Sequence, residues 1–293
     1  MASTASSSLP DMEYGGLKSD LRLTRLWQEL PSSAFPLLPE DAVAILPVGA
    51  IEQHGPHLPV YVDSCINEGL LKQALTRVPQ DLVALALPMQ AIGKSDEHLA
   101  FPGTLTLSAE SLARILIEIG ESVGRAGVKR LILLNSHGGQ PQVMDIVARH
   151  LRISAGMFVV NAAWSKMGMP KGLFEEAECR HGIHGGEIET SLMLHLRPDL
   201  VDMANARDFR PLSVDMEAEY RHLTPEGRFG FGWQVQDLND AGACGNAAAA
   251  DADRGRLLAE HAIGTFLELL REVARFPLEN LRDGPLGRAR SGG

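Results

Sequence analysis

Mostly apolar runs that break at glycine, proline or asparagine recur at Asp41–Val48, Asp81–Leu87, Val128–Leu134 and Met157–Val160. A strand with one wet face alternates apolar and polar residues, so runs without alternation belong to strands covered on both faces. Between them, Ser64–Arg77, Ser108–Arg125 and Gln140–Ile153 carry apolar residues at three- and four-residue spacing, the period of a helix. Strand and helix alternating in this way predict right-handed crossovers and an α/β fold with a mostly parallel sheet between helices. In such sheets ligands sit at strand C-terminal ends. Polar residues gather there: Glu52-Gln53-His54 after the first run, Lys94–His98 after the second and Asn135-Ser136-His137 after the third.

The remainder is organised around that unit. Residues 1–16 read as a Ser-rich unstructured tail, residues 17–281 as a single domain without an internal linker, and residues 282–293 as a loose Arg/Gly-rich end. Leu17–Leu30 reads as an amphipathic lead-in, residues 205–246 as a strand-poor stretch, and Asp251–Arg275 as one long helix. Lys and Arg number 27 against 37 Asp and Glu, a net charge of −10 without a basic block, which makes nucleic acid and anionic membranes poor partners. No apolar stretch is long enough for a membrane span, and the first residues lack a secretory pattern, so the expected compartment is the cytoplasm. Cys65, Cys179 and Cys244 are scattered and odd in number, as reduced cysteines would be.

Three polar clusters carry the chemistry. The first, Glu52 to Pro59 with Asp63 at a helix start, offers two carboxylates and the imidazoles of His54 and His57. That mixed donor set suits Zn²⁺ or Mn²⁺ better than Mg²⁺ or Ca²⁺, although a hydrogen-bonded loop before a helix needs no ion. The second places His137 on the turn Gly138-Gly139, where the backbone can approach a metal, a substrate or an anion. The third is His181-Gly182-Ile183-His184-Gly185-Gly186-Glu187-Ile188-Glu189. Here Glu187 is placed to meet a cation, while Glu189 reads as a capping or hydrogen-bonding group at the helix start. His98, beside Phe101-Pro102-Gly103-Thr104, is a substrate-contact candidate, and Trp164 fits either the core or a pocket wall.

Together, Leu46 to Pro59 with Asp63, Phe101 to Thr104, Asn135-x-His137-Gly-Gly and His184-Gly-Gly-Glu187-x-Glu189-Thr-Ser resemble the creatininase family, in the family's order across residues 40–200. The resemblance implies an α/β/α layered fold, a hexamer, and a metal-dependent amidohydrolase cutting C–N bonds outside peptides. Its reaction would use a hydroxide activated by two divalent ions, Zn²⁺, Mn²⁺ or Fe²⁺. It further implies that Glu52, Asp63 and His137 hold one ion, that His54 and Asp63 hold the other, and that His184 serves the substrate as a catalytic proton donor. Creatinine amidohydrolase completes the set with a Glu two positions after its metal histidine. Gly139 stands there in this chain, so Glu187 is expected to supply that carboxylate and act in catalysis. The tyrosine, tryptophan and glutamate that bind creatinine are replaced by Gly138, Arg180 and Ile183, with Trp164 as a remaining aromatic wall. The expected substrate is therefore a small cyclic or linear amide contacting His98, Gly138, Trp164 and Arg180, and an anionic one would suit Arg180. Creatinine itself, a formamide and a peptide are alternatives; a metallophosphoesterase would need further Asp-x-His and Gly-Asp motifs that the sequence lacks, and a metal-free silent subunit would not keep these ligand types.

Overall fold

The computed structural model describes residues 25–284. Strands β1 (Val43–Val48), β2 (Ala84–Ala86), β3 (Arg130–Asn135) and β4 (Phe158–Ala163) form one sheet in the order β2-β1-β3-β4, every pairing parallel. The helices in chain order are α1 (Val62–Leu75), α2 (Ala109–Arg125), α3 (Pro141–Ser154), α4 (Glu176–His181), α5 (Glu187–Leu196), α6 (Leu212–Glu219), α7 (Val235–Leu238) and α8 (Ala252–Arg275). A small antiparallel pair, β5 (Asp208–Phe209) and β6 (Gly245–Asn246), lies outside the main sheet.

Successive side chains of a strand point to opposite faces, so each central strand feeds two cores. Val43, Ile45, Ile132 and Leu134 pack with α1, α5 and α8, whereas Ala44, Leu46, Leu131 and Leu133 pack with α2 and α3. The result is the three-layer α/β/α arrangement, and it accounts for the missing alternation in the sequence.

Most elements shift by one to three residues from the expected bounds, β4 running on to Ala163. The run Asp81–Leu87 pairs only over Ala84–Ala86, because β2 is an edge strand whose Val83 and Leu85 are also held by Trp27, Leu30 and Leu38. The described part of the lead-in Leu17–Leu30 begins extended, where Ala86 N–H donates to the Arg25 carbonyl and Leu26 bridges to Ala86, and continues into a short 3₁₀ helix at Trp27–Glu29. The rest of that segment, the tail 1–16 and residues 285–293 lie outside the described residues.

The crossover from β1 leads to β2 on one side and that from β3 to β4 on the other, so the strand order reverses between β1 and β3. A crevice opens at the C-terminal ends of two such strands, and polar residues there can reach a ligand. Asn67 of α1 seals its floor. Its Nδ2 donates to the carbonyls of Val48 (3.1 Å) and Leu134 (2.9 Å), and its Oδ1 accepts from the Trp164 indole at 3.0 Å. Trp164 is thus a core residue rather than a pocket wall: it is buried against Phe266, with ring centroids 5.2 Å apart. Asn67→Ala would orphan the buried indole N–H, and is expected to lower unfolding free energy by about 1–3 kcal/mol in urea titrations followed by Trp fluorescence.

Candidate metal centre

The loop leaving β1 turns Glu52, His54 and His57 inward, and Asp63 enters on the first turn of α1. From β3 comes His137, and from the start of α5 comes Glu189. Glu52, His54, Asp63 and His137 are each at most 4% exposed. Four ionisable groups at that depth need compensation.

Hydrogen bonds fix which nitrogen of each ring faces the cluster. His54 Nδ1 donates to the Glu52 carbonyl at 3.0 Å, leaving Nε2 as the free lone pair. That atom lies 3.8 Å from Asp63 Oδ2, 3.7 Å from Glu189 Oε2 and 4.0 Å from Glu52 Oε1. His137 Nε2 donates to the Lys94 carbonyl at 2.8 Å, which points Nδ1 at Glu52 Oε1 (3.2 Å) and Asp63 Oδ2 (3.8 Å). Asp63 Oδ2 is common to both groups.

Three atoms of these side chains, Glu52 Oε2, His54 Nε2 and Asp63 Oδ2, are buried without any hydrogen-bond partner, and the last two face each other. Lone pairs of imidazole facing carboxylate oxygens repel unless a positive charge lies between them. The proton affinities show the same demand. Burial favours neutral His137, yet the charge and hydrogen bond of Glu52 and the hydrogen bond of Glu97 hold it well above the usual histidine range. Burial would raise Glu52, but His137 holds it well below, while burial and the Glu52 charge push Asp63 well above. Divalent cations on mixed N and O donors fit this arrangement.

Around that core, His184 stacks between His54 and His98, with centroids 4.1 Å from each. Its Nε2 donates to the Gln53 carbonyl at 2.7 Å, so Nδ1 faces Glu52 Oε1 at 3.6 Å. His98 is buried within the cluster rather than on an open wall. The Gln53 amide donates to its Nδ1 at 2.8 Å, directing Nε2–H at Glu52 Oε1, 3.4 Å away. Burial pushes His184 down to about 4 and His98 to about 2, keeping both neutral.

Glu187 does not join the cluster. Residues two apart on a helix face different directions, so α5 can aim only one of Glu187 and Glu189 at His54. Glu189 is that residue, its Oε2 also accepting the Gly185 N–H at 2.6 Å. Glu187 turns toward α8, where Arg254 lies 2.5 Å from its carboxylate, and its backbone N–H is held by Glu178 at 2.6 Å. Arg180 is likewise not at the centre: it lies exposed on α4, paired with Glu217 and Glu176.

A cleft of about 750 Å³ reaches the cluster beside Glu97, with Lys94, Gly138, Gly139, Glu226 and Trp233 among its lining residues. Gly138 and Trp233 line this cleft, and Trp164 does not. Glu97 and Trp233 were not singled out. Glu97 was visible only as the neighbour of His98, and Trp233 lies in the stretch whose fold has no periodic signal.

With this geometry in view, relatives can be weighed. A family model for creatininase (creatinine amidohydrolase) matches residues 27–270. The chain belongs to the creatininase family. The mycofactocin precursor peptide peptidase of Mycobacterium ulcerans (strain Agy99) is 33% identical over 236 residues, 78% of this chain and 84% of that protein. Creatinine amidohydrolase of Pseudomonas putida is 34% identical over 187 residues, 58% of this chain and 70% of that one. A manganese creatininase structure superposes with a TM-score of 0.68 at 26% identity, covering 86% of this chain and all of the other. Members of the creatininase family are metal-dependent hydrolases of amide bonds, and this chain is such an enzyme.

His57 ties the β1 loop to α5 by a 2.9 Å bond from its ring to Thr190 Oγ1, and burial pushes it from 6.5 down to about 4. Between those values the unfolded chain binds a proton that the folded chain refuses, so its contribution is complete above about 6.5 and fades as pH falls toward 4. In urea titrations across that window, His57→Gln is expected to flatten the fall of stability with acid. Parallel curves for the two proteins would contradict this.

Proposed function

We propose that this enzyme uses two divalent ions, Zn²⁺ or Mn²⁺, to hydrolyse an amide bond of a linear, peptide-like substrate. The observation that carries the substrate class is the cleft: it is an open groove of about 750 Å³ lined by separate segments, and no closed pocket shaped to one small ring. The groups that would clamp creatinine are missing from its walls. A Cβ at Gly138 would meet nothing within 4 Å, Arg180 is engaged elsewhere and Trp164 is in the core. The name of the relative from Mycobacterium ulcerans, a peptide peptidase, supports the same reading.

In this reading His137 Nδ1, Glu52 and Asp63 hold one ion, and His54 Nε2, Asp63 and Glu189 hold the other, with Asp63 shared. When bound, the ions lower the pKa of water toward neutrality and polarise the scissile carbonyl. The chain's own residues do the rest. Gln53 fixes the His184 ring so that Nδ1 faces the cluster, where it takes up a proton and returns it to the leaving nitrogen. His98 holds Glu52 in register through its Nε2–H. The hexamer implied by the family resemblance belongs to the same reading; Ile146 and Ile153, exposed on α3, are apolar surface that a contact between copies would cover.

Protein loaded with Mn²⁺ is expected to cleave members of a peptide library in a chelator-sensitive manner and to leave creatinine intact. Creatinine turnover without peptide cleavage would overturn the substrate assignment. His184→Ala is expected to keep both ions and lower kcat by about 10²–10⁴-fold, the usual worth of a positioned acid–base group; loss of metal from this variant would contradict its role.

A further inference from the structure

Glu97 and Gly139 belong to loops that follow different strands, yet they meet. A Cβ at residue 139 would lie 1.8 Å from Glu97 Oε1 and 2.6 Å from His137 Nε2. Any other residue at 139 would therefore displace the Glu97 carboxylate from the back of the His137 ring. Glu97 Oε1 lies 3.3 Å from Nε2, and the Lys94 carbonyl lies 2.8 Å from the same nitrogen. A carbonyl only accepts, so Nε2 carries the hydrogen, and the Glu97 carboxylate lies beside that N–H at ion-pair distance. The opposite nitrogen, Nδ1, faces Glu52 and Asp63. On its other side Glu97 is held by Lys94, whose Nζ is 3.9 Å from Oε2.

We infer that Glu97 is a positioning residue for His137, a carboxylate delivered across the cleft that locks the imidazole in the Nε2–H form with Nδ1 aimed at the Glu52–Asp63 ion position, and that Gly139 is small so that Glu97 can reach it. The inference rests on the dimetal reading above. A carboxylate behind a ligating imidazole fixes its tautomer and raises its basicity, and its loss typically weakens metal affinity by about 10–100-fold. The sequence had looked for a missing carboxylate at position 139 and then at Glu187; the structure places one beside His137 from the opposite loop.

The test combines calorimetric Mn²⁺ titration with ¹⁵N-edited NMR of the histidine rings in metal-free protein. Glu97→Ala should weaken one of the two ions by about 10–100-fold while both still bind at saturation, and Glu97→Gln should recover most of the affinity because its amide oxygen still accepts. Gly139→Ala, whose Cβ would displace Glu97 and also crowd His137 Nε2, should weaken the same ion at least as much as Glu97→Ala. In the NMR spectra the hydrogen-bonded Nε2–H of His137 should be present in the parent protein and altered by Glu97→Ala. Unchanged affinity in Glu97→Ala would overturn the inference, as would outright loss of one ion at saturation, which would make Glu97 a ligand. Should the parent protein bind no ions, the dimetal reading fails on its own, and an unaltered His137 tautomer in Glu97→Ala would sink the positioning role independently.

Discussion

Everything at the head of this sheet answers to one electrostatic problem: two carboxylates and two imidazoles, Glu52, Asp63, His54 and His137, are removed from water within a few ångströms of one another. A buried polar atom left unpartnered costs about 1–3 kcal/mol, and charged groups cost more. Three such atoms lie here. The arrangement is unfavourable without positive charge, which divalent cations held by these mixed donors would supply.

The surrounding fold supports that concentration of charge by placing an acceptor or donor behind the side chains of the cluster. Backbone carbonyls of Glu52 and Lys94 fix the rings of His54 and His137, and Gly185 N–H steadies Glu189. One layer further out, Glu178 accepts the backbone N–H groups of Glu187 and Asn246, pinning the start of α5 to the β6 segment. Arg254 of α8 then neutralises Glu187. Glu187 is thus part of the scaffold that sets the direction of α5, and through it the direction of Glu189.

The layers, the parallel sheet and most of the cluster could be read from the chain because the signals are local. Continuous apolar runs mark β1 and β3, and Glu52, His54 and Asp63 lie within twelve residues on one loop and helix start. The choice between Glu187 and Glu189 was not local. It depends on the rotation of α5 about its axis, which is fixed by Gly186 as its first turn begins and by Glu178 and Arg254 from distant segments. The positions of Trp164 and Arg180 depend on distant residues in the same way: Asn67 draws one into the core and Glu217 holds the other at the surface. Glu97 is legible only as a member of the Lys94–His98 cluster, since its place beside His137 depends on the missing side chain at Gly139.

The most direct test is crystallography of Mn²⁺-loaded protein with anomalous scattering. The account predicts two peaks per chain bridged by Asp63, one against His137 Nδ1 and Glu52, the other against His54 Nε2 and Glu189, with Glu187 still paired to Arg254. A single peak, or a second peak ligated by Glu187, would contradict it.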